Sequence, residues 1–262
     1  MTLVKICGNR TPEDVLAAAD AGANFVGMVF AESKRQVTIA QAQAMVRALG
    51  APLAEHEFSI PPPAQAHARE EIEPWFHHGA DVIDSYLDVK RPLTVGVFAD
   101  QPINEVNEIA EEVGLDLVQL SGDENWEDCL LVTKQVIQIV HVSALDSPSE
   151  ALGHVQPGFA IALGLDSAHG AYRGGSGEVF DWEIARAIAG RIPIMLAGGL
   201  NPENVAQAIE VVEPWIVDVS SGTETDGVKD HDRINAFVAS VVASDEQADW
   251  AHCGRQPPEE IP

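Results

Sequence analysis

The chain is 262 residues and 28.0 kDa, with 46% hydrophobic and 21% charged residues, a mix that can bury a core and excludes global disorder. A formal net charge of −26 argues against a nucleic-acid partner, since phosphate backbones need basic patches. No apolar run reaches the ~18 residues of a membrane span, the opening Met1–Lys5 does not read as a signal peptide, and three widely spaced cysteines (Cys7, Cys129, Cys253) predict a reducing, cytoplasmic setting without a disulfide framework.

The chain alternates strand and helix signals. Leu3–Ile6 is a short β-branched run followed by Gly8. Thr11 then offers an N-cap hydroxyl, with proline at the first helical position and acids behind it, so a helix is predicted over Pro12–Ala21 and stopped by Gly22. The unit repeats: strand Asn24–Phe30 with helix Thr38–Leu49, strand Leu93–Phe98 with helix Pro102–Val113, strand Leu115–Leu120 with helix Glu124–Lys134. Strand Val136–Val142 is followed by a short helix near Pro148–Gly153, and strand Phe159–Leu165 by helix Asp181–Ala189. Strand Pro193–Ala197 leads to helix Pro202–Val212 capped by Asn201, and strand Trp215–Val219 to helix Asp230–Val242. Eight such units predict an α/β fold, a (β/α)8 TIM barrel over 1–243, with a doubly wound open sheet as the alternative.

Segment 51–92 breaks the rhythm. It carries Ile60-Pro-Pro-Pro63, which cannot be helix interior, followed by a helical stretch over Ala64–Leu87. It reads as an insertion between the second helix and third strand, on the face away from a barrel's active site, serving as surface cover or a subunit contact. The acidic tail 244–262 is expected to be disordered. The remaining acidity is spread along the chain, as expected of a solubility device.

In a closed parallel barrel, alternate residues point inward and reactive groups sit at the C-terminal strand ends. Lys5 and Cys7 then face inward from the first strand, and Asp166 caps the inward face of the sixth. Lys5, two residues before Cys7 on the same face, is a cation able to lower the thiol pKa. Asp218, inward at the end of the eighth strand, is expected to pair with Lys5 across the barrel closure. Gly198 and Gly199 follow the seventh strand, and Ser220, Ser221 and Gly222 the eighth. Glycines there let backbone N–H groups approach an anion, and this pair of loops is the usual phosphate site of barrels. Arg35, just past the second strand, is a local cation for an anionic substrate. The glycine-rich stretch Ser167–Gly177 reads as a lid with glycine hinges. His77 and His78 are adjacent and diverge on a helix, and no cluster has metal-ligand spacing.

Lys5-Ile-Cys-Gly8, Ser33-Lys-Arg35, Val118-Gln-Leu-Ser-Gly-Asp123, Leu165-Asp-Ser167, Gly174-Gly-Ser-Gly-Glu-Val-Phe-Asp-Trp182, Leu196-Ala-Gly-Gly-Leu-Asn-Pro202 and Asp218-Val-Ser-Ser-Gly-Thr-Glu224 occur in that order. Together they resemble the phosphoribosylanthranilate isomerase family over residues 2–50 and 93–243. The resemblance implies a barrel enzyme of tryptophan biosynthesis performing an Amadori rearrangement, with Cys7 as general base and Asp166 as general acid. It also implies Arg35 on the anthranilate carboxylate, the 198–199 and 220–222 loops on phosphate, and Gln119 and Asp218 lining the substrate. No cofactor or metal is required; the partner is a small phosphosugar, on a monomer or homodimer. Two departures stand out: Ser121 replaces the family's usual His, so that imidazole's contact is lost or replaced, and the 51–92 insertion is unusual. The alternatives are a sugar-phosphate isomerase of histidine biosynthesis, whose first strand ends in Asp where this chain has Cys7, and a barrel that binds a phosphorylated ligand without turnover.

Overall fold

The computed structural model describes residues 1–56, 70–142, 147–167 and 182–252. Eight parallel strands form one closed barrel: β1 (Leu3–Ile6), β2 (Phe25–Val29), β3 (Leu93–Phe98), β4 (Leu117–Leu120), β5 (Gln135–Val142), β6 (Ala162–Ser167), β7 (Ile194–Leu196) and β8 (Ile216–Val219). Closure runs through β1 and β8, whose register sets Lys5 opposite Asp218 and Ile6 opposite Val219.

The outer layer comprises α1 (Pro12–Ala21), α2 (Ile39–Leu49), α4 (Ile103–Val113), a short α5 (Pro148–Gly153), α6 (Trp182–Ala189), α7 (Val205–Val212) and α8 (His231–His252), with α3 (Ile72–Val89) treated below. The caps follow the local chemistry. Thr11 and Thr38 each close a capping box, and Gly22 ends α1 at φ 99°, where a side chain would be strained. Outward strand residues such as Val4, Ile6, Val26, Val118, Leu163, Leu165 and Val217 pack with helix residues in one apolar layer. Inward residues such as Phe25, Val95, Leu117, Ile137, Ile139, Met195 and Ile216 form a second inside the barrel. Period-two alternation therefore sorts each strand between two cores.

Several elements differ from the sequence expectation. Trp126–Leu131 is a 3₁₀ segment rather than a helix over 124–134; Trp126 and buried Cys129 anchor it on the outer core, while Leu130 and Leu131 stay exposed and add no longer apolar stripe. β6 starts at Ala162 rather than Phe159. α7 starts at Val205, because Asn201 and Asn204 tie up the preceding turn: Asn201 N–H donates to Asn204 Oδ1 and Glu203 N–H to Asn201 Oδ1. α8 continues to His252, well past the predicted end, and Asp245 accepts the Thr2 amide and hydroxyl. A hairpin not foreseen in the sequence, β9 (Glu224–Thr225) and β10 (Val228–Lys229), follows β8 and turns at Asp226-Gly227, both with positive φ.

The insertion lies on the N-terminal face of the barrel, as expected, but packs more deeply than a surface cover. Of its predicted helix, residues 64–69 lie outside the described residues, and α3 closes the bottom of the barrel. Val82, Ile83, Tyr86 and Leu87 are buried against Leu3, Phe25, Leu93, Leu117, Ile161 and Ile216, at or beside the N-terminal strand ends. Trp75 Nε1–H donates to the Ala160 carbonyl at 2.6 Å, and a Cβ on Gly79 would lie 1.8 Å from the Ile161 carbonyl oxygen. Both ends of the insertion are fastened to one buried carboxylate: Asp116 accepts from Leu53 N–H (2.6 Å) and pairs with Lys90 Nζ (2.6 Å), while also holding Thr94.

Candidate active site

The mouth is at the C-terminal strand ends. On β1 and β8, Lys5 Nζ donates to Asp218 Oδ1 at 2.9 Å, with the Lys5 side chain fully buried. The pairing expected across the closure is therefore present. Burial alone would lower the Lys5 pKa, but Asp218 and the neighbouring Cys7 overcome it and hold the ammonium above its ordinary pKa.

Cys7 follows β1 and is buried. Its thiol lies on the inner face of β2, where a Cβ on Gly27 would come within 2.7 Å of Sγ, so the missing side chain makes the thiol's seat. Burial pushes the thiol upward; Lys5 and Lys229 pull it down while Asp218 opposes them, and the resting thiol stays above its ordinary value. Lys5 therefore acts in the expected direction, but burial outweighs it in the resting site. Gly8, at φ 77°, brings the chain so close that a Cβ would meet Arg35 Cδ at 2.7 Å and Ser220 Oγ at 2.8 Å. Only glycine lets these residues close over the end of β1.

The opposite wall comes from β4, β5 and β6. Asp166 shares the inward parity of Ala162 and Gly164; a Cβ on Gly164 would strike the interior side chains Ile139 and Met195. It is half-buried, and the β5–β6 register places His141 beside it. His141 also faces inward, with Nε2 2.9 Å from the Ser121 carbonyl oxygen. The β5 imidazole thus touches the backbone of Ser121 itself. Buried Gln119 donates through Nε2 to Ser121 Oγ at 3.0 Å, and its Oε1 has no hydrogen-bond partner among the described residues. Sequence reasoning passed over His141; its signal was the inward parity shared with Ile137 and Ile139.

The third wall is charged. Arg35 grips Glu224 with two prongs, Nε to Oε1 at 2.6 Å and Nη2 to Oε2 at 3.0 Å. Glu224 also faces Lys229 Nζ at 3.4 Å, and that ammonium donates to the Ser220 carbonyl at 2.7 Å and Thr223 Oγ1 at 3.1 Å. Burial raises the Glu224 carboxyl, but Arg35 and Lys229 bring it below its ordinary pKa. Sequence reasoning does not single out Lys229, and it includes Glu224 only as the last residue of the motif after β8. The available signal was the Asp226-Gly227 turn, which folds one back on the other.

Gly198 and Gly199 both have positive φ after β7. A Cβ on Gly222 would meet the Leu200 carbonyl oxygen at 2.0 Å, so the loops after β7 and β8 lie in direct contact. Arg233 Nε–H braces them by donating to the Gly222 carbonyl at 2.9 Å. Ser220 and Ser221 lead into a 3₁₀ turn, Ser221–Thr223. Of the lid expected over 167–177, residues 168–177 lie outside the described residues.

A thiol, a carboxyl and two joined glycine loops at one mouth of a closed (β/α)8 barrel define a barrel enzyme built for an anionic substrate. Residues 71–240 match the family model described as N-(5′-phosphoribosyl)anthranilate (PRA) isomerase. The N-(5′-phosphoribosyl)anthranilate isomerase of Dehalococcoides mccartyi is 37% identical over 250 residues, covering 94% of this chain and 98% of that one. A multifunctional tryptophan biosynthesis protein of Phycomyces blakesleeanus is 41% identical over 90% of this chain and 32% of its own. Among solved structures, the Thermotoga maritima phosphoribosyl anthranilate isomerase superposes with a TM-score of 0.67 at 31% identity, covering 93% of this chain and all of that one. The chain belongs to the phosphoribosylanthranilate isomerase family and is an isomerase.

Proposed function

We propose that Cys7 and Asp166 are the base and acid with which this isomerase converts N-(5′-phosphoribosyl)anthranilate to 1-(2-carboxyphenylamino)-1-deoxyribulose 5-phosphate in tryptophan biosynthesis. The rearrangement opens the ribose ring and moves one proton. Asp166, protonated, donates to the ring oxygen as its bond to C1′ breaks, leaving an imine that is protonated on nitrogen. Cys7 as thiolate removes the C2′ proton, and the electron pair forms an enolamine that tautomerises to the ketone. Positioned acids and bases contribute roughly 10²–10⁴-fold each. No electrons leave the substrate, so the step needs no redox partner. The observation carrying this reading is the placement of Cys7 at the end of β1 and Asp166 near the end of β6, both on the inward face of one closed barrel.

The remaining contacts follow the walls. The joined 198–199 and 220–222 loops offer backbone N–H groups to the phosphate, which long-range attraction cannot recruit to a chain of charge −26. Arg35 meets the anthranilate carboxylate through the guanidinium edge that Glu224 leaves, and Gln119 turns its unpaired Oε1 toward the sugar. Asp218 keeps Lys5 charged beneath Cys7. The setting is cytoplasmic, and among the described residues no helix is long and apolar enough to cross a membrane. The direct test adds purified protein to phosphoribosylanthranilate and follows its fluorescence. A rapid decay proportional to enzyme supports the reading, and an unchanged signal overturns it.

A further inference from the structure

Among the described residues, the mouth around Cys7 holds an unequal number of buried charges. Lys5, Arg35 and Lys229 are cations, and Asp218 and Glu224 are the carboxylates paired with them. All five are buried or nearly so, and the set carries one positive charge too many. Lys5 has Asp218 to itself, whereas Glu224 is shared: its bidentate bond goes to Arg35, and Lys229 touches it only at 3.4 Å. Lys229 therefore has neutral oxygens of Ser220 and Thr223 as its nearest partners and half a carboxylate as its counter-charge. A buried ammonium so placed is costly unless a further anion completes it.

We propose that Lys229 is a positioning residue for the isomerisation: its ammonium supplies the positive charge that a thiolate on Cys7 balances, and through Glu224 it fixes Arg35 over the mouth. This rests on the assignment of Cys7 as the base. Among the described residues, β1 contributes Lys5 and β8 Asp218 beside Cys7, β2 offers uncharged Gly27, and Arg35 crosses Gly8. Lys229 on β10 reaches this end of β1 through Ser220: its ammonium donates to the Ser220 carbonyl, and Ser220 Oγ would touch a Cβ on Gly8. His141 and Asp166 stand on the far wall. Lys229 and Cys7 also feel each other's charge: burial depresses the ammonium, and Glu224 and Cys7 partly restore it. The hairpin is the device that makes this possible, because the Asp226-Gly227 turn sets Lys229 directly opposite Glu224 in register.

The test titrates the Cys7 thiolate by its ultraviolet absorbance, each protein being read against the same protein carrying Cys7→Ala. Lys229→Met should move the titration upward by about one pH unit or more, and the acid limb of kcat/KM with it. Lys229→Arg should stay close to wild type. Glu224→Gln removes an anion and should move the titration downward, while KM rises because Arg35 loses its brace. A loosened loop alone would shift both variants in the same direction. Titrations that coincide with wild type in Lys229→Met, or that move together in Lys229→Met and Glu224→Gln, overturn the proposal. Should Lys229→Met fail to fold, Lys229→Gln, which also removes the charge, takes its place: it should show the same upward shift, and a titration at the wild-type position overturns the proposal. If Cys7→Ala itself keeps normal turnover, the base assignment fails instead, and the two failures are distinct.

Discussion

Lys5 and Asp218 meet across the seam where the barrel closes, Nζ to Oδ1 at 2.9 Å, directly beneath the thiol of Cys7. One ion pair thus serves both closure and site. Removing one partner from a buried pair leaves an uncompensated charge and costs about 3–5 kcal/mol. Lys5→Met should therefore lower the denaturant midpoint substantially, and Lys5→Met with Asp218→Asn should recover part of the loss. A double variant whose loss equals the sum of the two single losses would show that the pair is not coupled.

Gly27 gives the thiol its seat. A Cβ there would stand 2.7 Å from Cys7 Sγ, so Gly27→Ala should displace the sulfur from the reacting carbon while the outer layer stays packed. A misplacement of this kind costs up to about 10²-fold in kcat. Circular dichroism should remain native, with kcat reduced and KM little changed.

The plug at the bottom is a matter of stability. Ile83 is fully buried in α3 against the strand N-termini, and truncating such a side chain costs about 2–5 kcal/mol. Ile83→Ala should lower the unfolding midpoint without changing kcat, because it lies at the opposite end from Cys7. Deleting 54–90 should expose the barrel floor and leave an aggregating protein. A well-folded, fully active deletion would show that α3 is dispensable.

Cys129 gives a pH signature unrelated to catalysis. Burial, with Asp128, Glu124 and Glu127 nearby, lifts its thiol to about 12. The folded value exceeds the unfolded one, so the protonated thiol's contribution is complete below the ordinary thiol range and is lost as pH climbs towards 12. Wild-type stability should fall faster over that alkaline window than that of Cys129→Ala, and Cys129 should resist alkylation at neutral pH in the folded protein.

Much of this was legible in the residues. The strand–helix alternation and caps such as Thr11 and Gly22 define the barrel because local chemistry and global fold agree there. Inward parity correctly placed Lys5 opposite Asp218. The chain is less informative where a feature depends on long-range packing. Nothing in 51–92 indicates that Val82, Ile83 and Leu87 fill the barrel floor, since an amphipathic stripe does not name its partner. Trp126–Leu131 carries helical composition, yet its exposed Leu130 and Leu131 find no surface to cover. Glu224, Lys229 and His141 are ordinary polar residues in sequence, and become site residues only when the hairpin and the β5–β6 register bring them to the mouth.

The sharpest measurement follows substrate fluorescence with Cys7→Ala and Asp166→Asn beside wild type, with affinity for a non-reacting product analogue measured in parallel. Each variant should lose roughly 10²-fold or more in kcat while holding the analogue nearly as tightly, since Arg35 and the loops after β7 and β8 are untouched. Near-normal turnover by either variant would contradict the pairing of a first-strand sulfur with a sixth-strand carboxyl over one sugar.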